Sequence, residues 1–146
     1  MPVKKQSKLT FFVPDFNSKI KIMMIPDGVS AGFPSPAADF TENNIDLNKE
    51  LSKNPLATFY IKVKGNSMID AGINDKDVLV VDRSLEPKNN KIAICFIDGE
   101  FTVKRLSLQD GELQLMPENP KYQPIKVTDE NQFIIWGIVT YVIKKM

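Results

Sequence analysis

The chain has 146 residues, which suffices for one ordinary core with a modest appendage and is too short for two full domains. Its formal net charge of +1 gives no sign of a broad nucleic-acid-binding face. With one cysteine and no histidine, the chain can form neither an internal disulfide, nor a histidine-ligated metal site, nor a catalytic pair based on imidazole. We therefore expect no metal and no cofactor, and a nucleophilic serine would need lysine, a carboxylate or water as its base.

The sequence also argues against export and membrane insertion. No stretch approaches the ~18 consecutive apolar residues of a membrane span, and the N-terminus lacks the basic-then-apolar order of a signal peptide. The single cysteine, Cys95, lies in an apolar run, which predicts a buried and unreactive thiol. We expect a cytoplasmic protein with no membrane contact.

The first 31 residues predict an extended or mobile arm. Their apolar residues show only weak periodicity, their lysines are scattered, and they end in a turn-rich stretch of small residues. We place the domain boundary there, with an arm over 1–31 and a folded domain over 32–146. Within the domain, a short helix is predicted over 45–51 and would be closed by Asn54-Pro55.

From Thr58 onward the pattern changes to short strands. Alternating apolar residues at 59, 61 and 63 predict a half-buried strand. Further strands are predicted over 78–81, 92–97, 101–108, 113–116, 125–127 and 133–143. Asp98-Gly99 and Asp110-Gly111 are typical of tight hairpins. We predict a mostly β domain, built on a compact antiparallel sheet that is curled or barrel-like so that few edges remain exposed.

Ser67 follows the first of these strands, in the run Gly65-Asn66-Ser67-Met68. A serine at such a junction is most often a turn residue or a helix cap, and here Asn66 or Ser67 would cap one helical turn. The functional alternative is acyl transfer. The backbone N–H groups of Ser67 and Met68 would then form an oxyanion hole beside the serine hydroxyl.

Lys104 is the candidate base for this serine. Strand alternation places it on one face with Thr102, Leu106 and Leu108, and a lysine on an apolar face is unusual. The alternative is a surface lysine whose stem lies over apolar neighbours. The pKa of lysine in water is near 10.4, so a pKa near 7 requires about 4.6 kcal/mol of differential interaction. Burial can supply roughly that much, and the neutral amine could then act as general base and later as general acid.

Several motifs in register resemble the LexA/UmuD family of self-cleaving Ser-Lys peptidases. They are Gly65-Asn66-Ser67-Met68, the run 72–82, the run 98–106 and Met116-Pro117-Glu118-Asn119-Pro120. The serine precedes the lysine by 37 positions (104 − 67), as the family pattern requires. The resemblance extends from about residue 31 to the end of the chain. It implies a fold like the C-terminal domain of LexA, with Ser67 as nucleophile and Lys104 as general base.

The resemblance also implies a substrate and partners. The scissile bond of the family maps onto Ala31-Gly32, and its flanking sequence is most similar to the UmuD-like branch. Members of that branch form homodimers, cleave themselves when stimulated by a RecA filament on single-stranded DNA, and then serve a Y-family, UmuC-like polymerase subunit in error-prone translesion synthesis. Alanine before the scissile glycine is more typical of LexA than of this branch.

Three other functions compete with this interpretation. The chain could be a non-enzymatic dimeric scaffold for the polymerase, although it has both Ser67 and Lys104. It could be a LexA-like self-cleaving repressor, but residues 1–30 show no helix-turn-helix pattern, and we expect no direct sequence-specific DNA binding. A type I signal peptidase shares the Ser-Lys chemistry but would need a membrane anchor.

Overall fold

A computed structural model of the protein describes residues 9–15, 21–24 and 43–146, with the backbone alone described for 21–24 and 43–44. The strands are β1 (Leu9–Phe12), β2 (Lys21–Met24), β3 (Asn43–Asp46), β4 (Thr58–Val63), β5 (Val78–Asp82), β6 (Ile92–Ile97), β7 (Glu100–Gln109), β8 (Glu112–Met116), β9 (Ile125–Lys126) and β10 (Phe133–Ile143). The helix α1 spans Leu47–Leu51, and single 3₁₀ turns span Pro55–Ala57 and Ile69–Ala71.

Eight of these strands form one antiparallel sheet in the order β1-β4-β5-β10-β6-β7-β8-β9. The other two, β2 and β3, pair with each other. The predicted mostly β, antiparallel architecture is confirmed, and so are all seven strands predicted from Thr58 onward. Both predicted hairpins are present, since Asp98, Gly99, Asp110 and Gly111 all have the positive φ that tight two-residue turns require.

The large sheet is strongly curled. In the sheet order β1 and β7 are five strand spacings apart, which in a flat sheet would separate them by roughly 24 Å. Instead the rings of Phe11 on β1 and Phe101 on β7 pack edge to face, with centroids 4.9 Å apart. The curl therefore brings the first strand of the sheet against the strand that carries Lys104.

Two apolar clusters stabilise this shape on opposite faces of the sheet. The inner cluster includes the buried side chains of Ile61, Leu79 and Ile94, and Met68 from the serine loop packs with them. The outer cluster includes Leu106 and Leu115. Because β6 and β7 alternate between the two clusters, both of their faces are covered by apolar neighbours.

The structure corrects two local predictions. The helix begins at Leu47 rather than at 45, because Ile45 and Asp46 belong to β3 and the Asp46 side chain accepts the Asn48 N–H at 3.0 Å as an N-cap. Leu108 is 46% exposed, so the apolar face of β7 ends at Leu106.

Part of the predicted arm is paired with the sheet. Within the segment 1–31, residues 9–12 form β1, which pairs antiparallel with β4 from Leu9 opposite Val63 to Phe12 opposite Tyr60. The domain boundary at residue 31 lies outside the described residues and stays a prediction. In the part of the chain that the structure describes, no helix has the length and hydropathy to cross a membrane.

Candidate active site

Ser67 lies in a tight loop between β4 and the 3₁₀ turn Ile69–Ala71. Gly65 starts the loop with φ +106°, a conformation that side chains rarely adopt, and its N–H donates to the Asp75 carboxylate at 2.7 Å. The expected helical turn is present but is 3₁₀. The predicted cap is wrong, because Met68 occupies the N-cap position and no side chain caps it. The Ser67 hydroxyl is thus available for another role.

Lys104 reaches the serine from the middle of β7. Its residue is only 6% exposed, so the interpretation of a solvated surface lysine is wrong. Its Nζ lies 3.2 Å from Ser67 Oγ, 2.8 Å from Thr102 Oγ1 and 3.0 Å from the Val103 carbonyl oxygen. Sequence alternation had placed Thr102 on the same face, but it gave no sign of the Val103 carbonyl.

The backbone N–H groups of Ser67 and Met68 were predicted to form an oxyanion hole. Across the described residues neither of them donates a hydrogen bond, whereas the N–H groups of Ile69, Asp70 and Ala71 all do. Two adjacent donors without an acceptor beside a hydroxyl could stabilise an oxyanion. Their role as an oxyanion hole remains a prediction.

Cys95 lies on β6 opposite Thr102, two residue pairs from Lys104, but it is not part of the reactive set. The side chain is fully buried, and burial raises the pKa of its thiol to about 12, although the nearby Lys104 charge acts in the opposite direction. The thiol is therefore neutral at pH 7. This agrees with the prediction of a buried thiol.

A cavity of about 30 Å³ opens beside Ser67, roughly the volume of one water molecule. Leu9 of β1 forms one of its walls and is 6% exposed. A much larger cavity, of about 720 Å³, lies elsewhere, between the end of α1, the residues that follow β5, and residues 138–141 of β10, and neither Ser67 nor Lys104 lines it. The narrow site by the serine is suited to small side chains.

The sequence matches the Peptidase S24-like family over residues 23–140, which is most of the chain. The chain belongs to the peptidase S24 family. This match includes both Ser67 and Lys104, together with the loop and strand that carry them. Membership assigns the protein to a family of peptidases.

Several bacterial relatives resemble the chain over most of their length. Protein SamA of Salmonella typhimurium is 46% identical over 79% of this chain and 79% of its own. Protein ImpA of Escherichia coli is 42% identical over 84% of this chain and 83% of its own. The LexA repressor of Bordetella pertussis is 38% identical over 80% of this chain, but that match covers only 53% of the repressor.

The segment that follows β8 contacts the serine loop, a role that the sequence did not predict. Residues 116–122 pack against the serine loop: the Glu118 N–H donates to the Ser67 carbonyl at 2.9 Å, and the Asn119 side chain donates to the Asn66 carbonyl at 2.9 Å. Tyr122 donates its hydroxyl to the Asn66 side chain at 3.0 Å. No local periodicity signals these contacts, because they join residues more than fifty positions apart.

Ala31 and Gly32 lie outside the described residues, between β2 and β3. The two strands pair with Met24 opposite Asn43, so the segment that contains Ala31-Gly32 joins two neighbouring strand ends. The cleavage site therefore stays a prediction.

Proposed function

We propose that the protein is a self-cleaving serine peptidase in which Ser67 attacks the Ala31-Gly32 bond and Lys104 is the general base. The observation that carries the proposal is the 3.2 Å separation of Lys104 Nζ and Ser67 Oγ at a buried site in a member of a peptidase family. A general base must lie within hydrogen-bond reach of the proton that it removes. Without histidine in the chain, lysine is the amine base at hand.

The neighbours of Lys104 suit this role. A neutral amine has two N–H groups and one lone pair. With N–H groups donated to Thr102 Oγ1 and the Val103 carbonyl, the lone pair would accept the proton of the Ser67 hydroxyl, whose oxygen lies 3.2 Å from Nζ. Burial disfavours a charged amine, and so favours the form that accepts a proton.

The reaction proceeds in two acyl-transfer steps. Ser67 Oγ bonds to the Ala31 carbonyl carbon while its proton passes to Lys104, and the developing oxyanion accepts the N–H groups of Ser67 and Met68. Lys104 then returns the proton to the Gly32 nitrogen as the peptide bond breaks. Water, deprotonated by Lys104, hydrolyses the ester between Ser67 and Ala31 and restores the hydroxyl.

We place this cleavage in the bacterial DNA-damage (SOS) response. Stimulation by a RecA filament on single-stranded DNA would promote cleavage, and residues 32–146, as a homodimer, would serve a Y-family polymerase subunit in translesion synthesis. The proposal is supported by the family resemblance and by the similarity to SamA and ImpA. A chain of about 35 residues between the bond and Ser67 can span on the order of 100 Å, so cleavage within or between chains is sterically feasible.

The test is the intact mass of the purified protein after alkaline incubation, which favours the neutral amine. We expect loss of residues 1–31 from the wild type and none from Ser67→Ala. Addition of RecA, single-stranded DNA and a nucleoside triphosphate should accelerate the same cleavage at neutral pH. A wild-type chain that stays full length under both conditions would exclude self-cleavage and leave a binding scaffold as the alternative.

A further inference from the structure

The loop that carries Ser67 is fixed from outside by the segment that follows β8. Two backbone hydrogen bonds join the segments: the Glu118 N–H donates to the Ser67 carbonyl at 2.9 Å, and the Asp70 N–H donates to the Glu118 carbonyl at 2.7 Å. The Glu118 side chain is itself held by an ion pair with Arg105 on β7. The serine loop is therefore tied to the strand that carries Lys104.

Asn119 adds a contact to the preceding peptide. The residue is 9% exposed, its Nδ2 donates to the Asn66 carbonyl at 2.9 Å, and its Oδ1 accepts the Lys121 N–H at 3.0 Å. Both ends of the amide are thus bonded, which fixes the orientation of the side chain.

The two anchored carbonyls belong to the two peptide units that matter for an oxyanion. A peptide unit is planar and trans, so the direction of its C=O sets the opposite direction of its N–H. The Asn66 carbonyl shares a peptide unit with the Ser67 N–H, and the Ser67 carbonyl shares one with the Met68 N–H. Asn119, by the shorter of two hydrogen bonds to the Asn66 carbonyl, therefore fixes the first donor together with the Ile69 N–H, which donates to the same carbonyl at 3.3 Å. Glu118 fixes the second donor.

We propose that Asn119 is a positioning residue that, together with the Glu118 backbone, preorganises the Ser67 and Met68 N–H groups as an oxyanion hole. This inference rests on the proposed function of Ser67. Preorganised donors stabilise an oxyanion without reorganising during the reaction, and loss of one donor typically slows acyl transfer by about 10²–10³-fold. Asn119 acts through the peptide and does not touch the substrate.

The test compares Asn119→Ala with the neighbouring Tyr122→Phe. The first variant leaves the Asn66 carbonyl with only the longer, 3.3 Å hydrogen bond from the Ile69 N–H. The second removes only a hydrogen bond to the Asn66 side chain and keeps the ring. We expect Asn119→Ala to slow alkaline self-cleavage by at least about tenfold, since a misoriented donor is partly lost. Tyr122→Phe should stay within about threefold of the wild type, because it leaves the peptide bonded.

The pH profile separates positioning of the oxyanion donors from a general loosening of the loop. If Asn119 orients the N–H groups, the rate falls at every pH, and the pH of half-maximal rate, which reports the base, stays that of the wild type. A displaced midpoint would instead mean that Asn119 holds Ser67 against Lys104, and that result would overturn the inference. A wild-type rate in folded Asn119→Ala would overturn it as well.

Two further measurements keep the inference independent of folding and of the proposed function. Asn119→Asp retains the volume of the side chain and the oxygen that accepts the Lys121 N–H, but loses the donor to Asn66. It should therefore slow self-cleavage as much as Asn119→Ala, and it replaces the alanine variant if that variant does not fold. Circular dichroism establishes that each variant is folded. If the wild type itself does not cleave, the proposed function fails, whereas a cleaving wild type with a fully active Asn119→Ala refutes only the role of Asn119.

Discussion

Lys104 contacts three oxygen atoms although it is almost completely removed from water. Those of Ser67, Thr102 and Val103 all lie within 3.2 Å of its Nζ. A buried ammonium without such acceptors would be strongly destabilising. The hydrogen bonds that stabilise the buried amine also hold it beside the serine. The stability of the site and its proposed function therefore depend on the same three contacts.

Lys104→Arg tests whether the amine must lose its proton. Arginine keeps the positive charge but stays protonated at all accessible pH values, so it cannot act as a general base. We expect self-cleavage to fall by about 10²–10⁴-fold, the usual contribution of general acid–base catalysis. The intact mass during alkaline incubation measures it, with the exposed Lys126→Arg as control. If Lys104→Arg cleaves at the wild-type rate, Lys104 is not the general base.

Cys95→Ala tests whether the thiol takes part. Burial raises the pKa of Cys95 to about 12, so the thiol stays protonated across the working pH range and is a poor nucleophile. We expect Cys95→Ala to retain self-cleavage, and we expect an alkylating reagent to modify Cys95 of the wild type only after denaturation. Abolished cleavage in a folded Cys95→Ala protein would reopen the identity of the nucleophile.

At the scale of single elements, β1 covers the inner cluster of the sheet. Phe11 packs edge to face on Phe101 and on Trp136, with ring centroids 4.9 Å apart in both pairs. Leu9, on the same strand, forms a wall of the cavity beside Ser67. Because β1 belongs to the segment that the proposed cleavage would release, its contacts link the state of the arm to the surroundings of the serine.

Phe11→Ala tests how firmly β1 is held. Loss of two aromatic contacts and of the buried ring surface should weaken the β1–β4 pairing and admit water near Trp136. Trp136 is the only tryptophan of the chain, so we expect its fluorescence emission to shift to longer wavelength in this variant. Phe12→Ala is the matched control, since Phe12 is 49% exposed. Identical spectra for Phe11→Ala and wild type would show that β1 does not shield the indole.

In the strand β10, close packing leaves no room for a side chain at Gly137. The register of this strand shifts between Ile135 and Gly137, and a Cβ at Gly137 would lie 2.5 Å from Cγ1 of the buried Val81. A valine side chain has little freedom to move aside.

Gly137→Ala should therefore cost about 1–3 kcal/mol of unfolding free energy, in the range of other overpacked cores. Urea denaturation of the variant and of the wild type measures the difference. Ile134→Ala, at a position 56% exposed on the same strand, serves as control and should change stability far less. Equal midpoints for Gly137→Ala and wild type would mean that β10 relaxes around the added methyl group.

At the scale of the whole molecule, Asp82 joins the end of β5 to the segment after α1. Burial by itself raises the pKa of its carboxyl group, but hydrogen bonds from the Asn54 side chain and from the hydroxyl and N–H of Ser84 outweigh this effect. The pKa of Asp82 is consequently below its ordinary value of 3.8. A carboxyl group with a lowered pKa in the folded state stabilises the fold above pH 3.8, and this contribution is lost as the pH falls further.

Asp82→Asn should therefore reduce stability at pH 7 and make it less sensitive to acid below pH 3.8. An expected loss of about 1–3 kcal/mol at neutral pH follows from weakening buried, charge-assisted hydrogen bonds. Urea unfolding at pH 7 and at pH 3 measures both effects, with the exposed Asp129→Asn as control. Equal losses at the two pH values would show that the charge of Asp82 does not contribute.

The sequence predicted most of the fold because strands and hairpins leave local signals. Alternation marked the strands after Thr58, and Asp98-Gly99 and Asp110-Gly111 marked their turns. The strand β1 was missed because its pairing partner, β4, lies about fifty residues away and its own four residues show little alternation. Likewise, the capping role assigned to the serine loop was wrong because distant contacts from Glu118 and Asn119 shape that loop.

The sequence by itself determined the chemistry that is available: a serine just after one strand, a lysine within another, and no histidine. Only the tertiary structure decided that Lys104 is buried and that its Nζ lies 3.2 Å from Ser67 Oγ. The physical reason is that alternation assigns a side chain to a face of the sheet, whereas burial and distance depend on how the sheet curls and on which loops cover that face. The hydrogen bonds from Asn119 and Glu118 to the carbonyls of Asn66 and Ser67 depend on the same long-range packing.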